Sequence, residues 1–407
     1  MLPRVDYLSD TKEEDVAGRI ADRVKKLAGS PTVSVMDKAR RLKAEGRSVV
    51  DLSGGDPDFS TAPHVTQVAV EALQSGFTHY TPSRGIPELL KAIARKLETE
   101  NSAAYNPKSE ILVMPGAKQA LFIATQSLLN PGDEVILFDP CWVSYAPCVE
   151  LADAAPVYVA MNTQTTAADL KVRLERAITP RSSLIILNTP HNPTGQVWTR
   201  DQLQVVADAA KAHDVWVLSD EIYETIIYDG AKHISIASLP GMLERTMTLN
   251  GLSKSHAMTG WRLGYIAGPE PLIQEMLKIH QHSSTCAASF VQKAAIAAFE
   301  GPSEYTHYMV ERYKARRDWL AARLNAIPGL RCELPQGAFY AFPNIAGTGL
   351  ASIEFTDRLL EAEAVAVTPG NAFGAAGEGY VRLSFANSDE MLQEGARRIE
   401  HFVLGLT

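Results

Sequence analysis

Lys254 is the first residue whose surroundings suggest chemistry. It lies in Leu249-Asn-Gly-Leu-Ser-Lys-Ser-His-Ala-Met-Thr-Gly-Trp-Arg-Leu-Gly264, a stretch rich in Gly, Ser, His and Thr. A lysine shielded from water in such a loop has a lowered pKa, and the neutral amine is a nucleophile that condenses with aldehydes. Arg262 follows just ahead of the apolar run Leu263-Gly-Tyr-Ile-Ala267. Its planar fork suits a phosphate. A lysine beside a phosphate clamp is what a pyridoxal phosphate (PLP) site requires. A solvated surface loop has the same letters, and for a lone lysine that plainer reading prevails. Other stretches must decide.

Several do carry weight. Gly54-Gly-Asp-Pro-Asp-Phe-Ser60 is a turn by composition, and its glycines let backbone approach a ligand; a plain turn fits equally well. Tyr80 stands in a polar loop, where half-buried packing is the ordinary role of a tyrosine. At Pro115-Gly-Ala-Lys118 a β run stops and a helix starts at once, which makes an anion site or merely a tight turn. The glycine spacing there fits neither a P-loop nor a dinucleotide fingerprint. Asp139-Pro-Cys-Trp-Val-Ser-Tyr145, Asn188-Thr-Pro-His-Asn-Pro-Thr-Gly195 and Ser219-Asp-Glu-Ile-Tyr223 each follow an apolar run.

Those runs are the elements that must position the polar groups. Residues 111–114, 134–138, 156–159, 183–187, 215–218 and 246–249 are short, continuous and apolar, separated by helical stretches. This is the mark of strands buried on both faces of a mainly parallel sheet. Ligands gather at the carboxyl ends of such strands, and all these polar motifs sit there. Their shared placement is the strongest physical argument for a single site.

Further helices are expected at 10–28, ended by Ser30-Pro31, at 34–45, closed by Gly46, and at 63–73, 87–99 and 303–327. Residues 338–342, 364–367 and 380–385 read as strands of an antiparallel α+β domain. Gly347-Thr-Gly349 lacks a third glycine and is discounted. No internal repeat or low-complexity tract occurs.

With 407 residues, the chain calls for two domains or one large domain with an appendage. A hydrophobic content of 46%, a charged content of 21% and a net charge of −8 describe a soluble protein without a basic footprint for nucleic acid. No apolar run is long enough to span a bilayer, and Met1-Leu-Pro-Arg-Val-Asp-Tyr7 has no signal-peptide core. Cys141, Cys148, Cys286 and Cys332 are scattered, which argues against a disulfide framework or zinc site and fits a reducing cytoplasm.

Asn192-Pro-Thr-Gly195, Ser219-Asp-Glu-Ile-Tyr223, Ser253-Lys254 and Gly260-Trp-Arg-Leu-Gly264, taken together and in this order, resemble the class I/II aminotransferases of PLP fold type I. The resemblance covers roughly residues 30–400. With Gly55-Asp-Pro-Asp-Phe59, it looks nearest to the bacterial branch containing aspartate aminotransferases.

The resemblance implies an α/β fold. A large domain holds a mostly parallel seven-stranded sheet flanked by helices, and a smaller α+β domain draws on both chain ends. The expected boundaries are 1–50 for N-terminal helices of the small domain, 51–300 for the large domain and 301–407 for the C-terminal part.

Site roles follow from the same resemblance. Lys254 matches the lysine that bonds the cofactor and shuttles the substrate proton, and Asp220 the carboxylate facing the pyridine nitrogen. Tyr223 and Asn192 match the partners of the ring's 3-oxygen. Trp142 matches the aromatic stacked on the ring, and Trp142 and Asn192 are also expected to contact the substrate. Gly116, Ala117 and Lys118 match the phosphate-binding helix start, and Arg262 the phosphate arginine. Tyr80 matches a tyrosine reaching the neighbouring subunit's phosphate, which implies a homodimer with shared sites. Arg382 matches the clamp on the substrate α-carboxylate, and Gly55 a backbone contact near it. No metal is implied.

Two departures stand out. Gly251 occupies the place of a phosphate-binding serine. Residues 281–290 lack the arginine that some aspartate enzymes send across the dimer, leaving His282, Ser284 and Arg84 as candidate substitutes. The expected activity moves an amino group from an L-amino acid to a 2-oxo acid by a ping-pong scheme. A PLP-dependent carbon–sulfur β-lyase is the same-fold alternative. A PLP-binding regulator would need an added DNA-binding domain, and a nicotinamide dehydrogenase a glycine fingerprint. The amino donor is left open.

Overall fold

The computed structural model describes residues 20–406, apart from 26, 28 and 30. A two-residue strand, β1 (Val50–Asp51), stands apart from the seven that follow: β2 (Ile111–Met114), β3 (Glu134–Asp139), β4 (Ala155–Ala160), β5 (Ser182–Asn188), β6 (Trp216–Asp220), β7 (Thr246–Gly251) and β8 (Gly264–Ala267). These seven form one sheet in the order β2-β8-β7-β6-β5-β3-β4. Strands β3 to β7 are parallel, whereas β8 runs antiparallel to both β2 and β7. Only a short loop joins β7 to β8, so no helical crossover intervenes and the direction reverses. That loop carries Lys254 and Arg262.

The period of two along each strand decides which face is buried where. On β5, Leu184 and Ile186 pack with Leu137 and Leu218 beneath the helices Ala117–Leu128 and Glu270–Ser283. Ile185 and Leu187 point the other way, with Ile136 and Val217, against the helices Ala167–Ala177 and Arg200–Ala212. Each fully buried Leu or Ile contributes about 1.5–3 kcal/mol relative to exposure. Thr166 and Thr199 close complete capping boxes on the latter two helices, which fixes where the chain turns after each strand.

The smaller domain has a three-stranded antiparallel sheet. Its strands are β9 (Tyr340–Ala341), β11 (Thr368–Pro369) and, in the centre, β12 (Val381–Ser384), while β10 (Val365–Ala366) lies outside it. One expectation needs correcting. β10 pairs in parallel with β1, not in an antiparallel sheet. The partner comes from the far end of the chain, so no hairpin dictates its direction. Val50 and Leu52 share a core with Ile399 and Phe402 of the helix Asp389–Leu404, so both chain ends build this domain.

The boundaries also shift. Pro31 opens the helix Pro31–Ala44 where it was expected to end the preceding one, the N1 role that suits proline. Of the helix expected at 10–28, the described part is helical only at Asp22–Lys25, with Ile20 and Val24 exposed; 10–19, 26 and 28 lie outside the described residues.

Candidate active site

The carboxyl ends of β3, β5, β6 and β7 open on one cavity of about 350 Å³. β6 delivers Asp220. Its buried carboxylate accepts the Tyr145 hydroxyl at 2.7 Å and the Ile222 N–H at 3.2 Å. Burial raises its pKa to about 6, against the pull of those two hydrogen bonds. The chain then turns, and the Tyr223 hydroxyl meets that of Tyr340 at 2.8 Å. Burial pushes the Tyr223 phenol well above its usual value.

The loop after β7 brings Lys254 to the cavity wall, its Nζ donating to Gly55 O at 2.6 Å. Burial lowers its pKa to about 8; Asp56 opposes this, while Arg382, Arg262 and Lys118 reinforce it. A side chain at Gly55 would not fit, because an added Cβ would lie 2.5 Å from the Tyr340 hydroxyl.

β5 ends at Asn188, whose side chain accepts the Asn192 N–H at 2.8 Å and donates to Asp220 O at 2.9 Å. From β12, Arg382 donates to Asn192 Oδ1 at 2.9 Å and Ser53 O at 2.7 Å. Its guanidinium sits 4.3 Å from the Tyr340 ring centroid and 4.8 Å from that of Phe373. The buried Nε has no hydrogen-bond partner among the described residues. A buried guanidinium with no carboxylate among its described partners is costly unless an anion completes it.

The helix Ala117–Leu128 begins at the cavity without a side-chain cap and turns its positive dipole end toward it. Gly116 has φ +93°, and a Cβ there would lie 2.5 Å from Arg262 Nη2. Gly264 allows equally close approach, since its Cβ would lie 2.3 Å from Ala117 N. Glycine at both positions therefore lets Arg262 rest on the helix start. Lys118 Nζ lies 4.9 Å from the Trp142 ring centroid.

Of the residues expected at the site, Lys254, Asp220, Tyr223, Ala117, Lys118, Trp142, Asn192, Arg262, Gly55 and Arg382 line this cavity, with Gly116 against Arg262. Tyr80 does not join them and is 87% exposed. The proposed substitutes for a side-chain arginine are not at the cavity either. Arg84 is bound to the Ser109 and Ile111 carbonyls, His282 is exposed, and Ser284 accepts from Gln119. At Gly251 a Cβ would meet Leu263 O at 3.0 Å and Gly264 Cα at 3.1 Å, so this position has no room for a serine hydroxyl without movement of β8.

Sequence reading missed Ser53, Tyr145, Ser253, Thr259 and Tyr340, which also line the cavity. Tyr145 and Ser253 lie inside motifs already singled out, so proximity to Trp142 and Lys254 was the available signal. Ser53 and Tyr340 had none.

The family model for aminotransferase class I and II matches residues 47–399. The chain belongs to the class I and II aminotransferases. It is 45% identical over 374 residues to the aspartate aminotransferase of Musicola paradisiaca, covering 92% of this chain and 94% of that protein. It also superposes on the aromatic aminotransferase of Pyrococcus horikoshii with a TM-score of 0.85, at 43% identity over 92% of this chain and all of that one. For the Thermus thermophilus aspartate aminotransferase with maleate, the TM-score is 0.88 at 39% identity, covering 94% and 99%.

This aminotransferase is PLP-dependent, and its donor set fits that cofactor. A phosphate needs the helix start and a guanidinium, an aldehyde needs a depressed lysine, and a protonated ring nitrogen needs a buried carboxylate. All are present in one cavity. Among the described residues, no helix is long and apolar enough to cross a membrane.

Proposed function

We propose that this aminotransferase takes an acidic L-amino acid, aspartate foremost, as donor and a 2-oxo acid as acceptor. The observation that carries this is a charge count. Lys118, Lys254, Arg262 and Arg382 line the cavity, and Asp220 is the only acid among the lining residues. Lys254 is committed to the cofactor, and Arg262 with the helix start to its phosphate. Arg382 takes the substrate α-carboxylate, for which its unpartnered Nε and planar fork are suited. Lys118 then has no anion of its own, and a side-chain carboxylate would supply one. Ser253 and Thr259 offer the hydroxyls that Gly251 lacks.

Bound PLP supplies an electron sink for the substrate's α-carbon. The chain does the rest. Asp220, ionised at neutral pH, would hold the ring nitrogen, while Asn192 and Tyr223 would hold the 3-oxygen and Trp142 would cover the ring face. Lys254 Nζ, whose pKa burial lowers to about 8, would bond the cofactor and move the substrate's α-proton. The same reading makes the protein a cytoplasmic homodimer in which exposed Tyr80 completes the neighbour's site, with domain limits near residues 50 and 300.

The test is kcat/KM for aspartate, alanine and tyrosine in wild type and in Lys118→Met. The variant should lose about tenfold or more on aspartate and little on alanine. Equal losses on all three donors would return Lys118 to the phosphate. Pyruvate released from a cysteine conjugate without any acceptor would move the reading to the β-lyase.

A further inference from the structure

Behind the cavity, on the other side of the segment 219–224, lies a second group of charges. Asp220 and Tyr223 face the cofactor site, whereas Ser219, Glu221 and Glu224 point away from it into the interior. Glu221 Oε1 accepts the Ser219 hydroxyl at 2.8 Å and the Ser235 hydroxyl at 2.7 Å. Its Oε2 accepts Asn101 Nδ2 at 2.9 Å and contacts His233 Nε2 at 3.0 Å. Glu224 pairs with Lys96 and accepts Asn101 Nδ2 at 2.6 Å. It also accepts Asn250 Nδ2, from β7, at 2.5 Å. Asn250 in turn accepts the Gly251 N–H at 2.7 Å, on the way to Lys254.

Glu221, Glu224 and His233 come close enough together to suggest a metal site. The carboxylate oxygens argue otherwise. Each already accepts at least one donor, and the ammonium of Lys96 stands where a cation would be needed. With His233 protonated, buried Glu221 and Glu224 meet two positive charges, and the more exposed Glu100 adds a third carboxylate 3.7 Å from Lys96. Burial works against that protonation, but Glu221 and Glu224 outweigh it and raise the His233 pKa. Glu100 and Tyr265 are the other titratable groups facing Glu224. A cavity of about 660 Å³ beside Lys96 and Glu224 extends to Ser255 and His256, behind the Lys254 loop.

We propose that Glu224, with Glu221 beside it, is a positioning residue that locks the strand end carrying Asp220 and Tyr223 to the strand end leading to Lys254. It touches neither cofactor nor substrate. The proposal rests on the roles given above to Asp220, Tyr223 and Lys254. Glu224→Gln would remove one negative charge from the cluster and weaken the bridge to Asn250. Asn250→Ala would cut the bridge while keeping every charge.

The experiment is a titration of the visible absorbance of the holoenzyme between about pH 5 and pH 10, with kcat and KM measured alongside, for wild type and both variants. In Glu224→Gln, the loss of a negative charge should lower the titration midpoint by about 0.5 pH units or more. In Asn250→Ala, kcat should fall about tenfold with KM changed less than about twofold, as expected for lost orientation of reacting groups. If Glu224→Gln does not fold, Asn250→Ala decides alone. Variants that melt earlier but keep the wild-type midpoint and kcat would make the cluster purely structural and overturn the proposal. A wild-type protein with no titrating visible band would overturn the site reading itself, and this proposal with it.

Discussion

Two groups of buried charges lie back to back across the segment 219–224, and they are built on opposite rules. In the cavity, Lys118, Lys254, Arg262 and Arg382 outnumber Asp220. Behind it, Lys96 and His233 stand against Glu221, Glu224 and, beside Lys96, Glu100. The pKa shifts follow suit. Burial drives Asp220 up and Lys254 down, each toward its neutral form. Glu224 is held low because Lys96 and His233 outweigh the effect of burial. Unmatched charge costs folding free energy and marks where a ligand completes the protein; matched charge marks where the protein completes itself.

The largest test of this contrast is Lys254→Ala. Loss of the nucleophile should reduce turnover by about 10⁴-fold or more and abolish the visible band. Retention of the band would place the reactive lysine elsewhere. A smaller effect is expected from Arg382→Lys, which keeps the charge but not the fork. KM for the amino donor should rise about 100-fold with kcat changed much less, read from steady-state kinetics. An unchanged KM would mean that Arg382 does not hold the carboxylate.

The subtlest test is Asp220→Asn in cofactor-free protein. The folded pKa of Asp220 lies above its unfolded value, so its contribution to stability is fully present below about pH 4 and is lost as pH rises through about 6. At pH 7 the asparagine variant should therefore be more stable by about 3 kcal/mol, the equivalent of a shift of about two pKa units. The advantage should shrink steadily toward pH 4 in denaturant unfolding. An advantage that does not change with pH would show that Asp220 is not strained by its burial.

Much of this site was legible in the chain itself. Lys254, Asp220, Asn192 and Arg262 follow continuous apolar runs or close a short loop between two of them, and a parallel sheet must bring such ends to one edge. Local chemistry determined that. Glycine at 116 and 264, proline at 31 and the capping threonines are likewise local choices with local reasons.

What only the tertiary structure decided involves partners far apart in sequence. Ser53 meets Arg382 across 329 positions, Tyr223 meets Tyr340 across 117, and Lys96 meets Glu224 across 128. The parallel pairing of β1 with β10 is of the same kind. The letters show that Glu221 lies inside the motif 219–223 and Glu224 directly after it. Only packing shows that one face of that motif has its charges met by protein and the other does not, because a charge's partner is set by distance through space and a period in the sequence does not encode it.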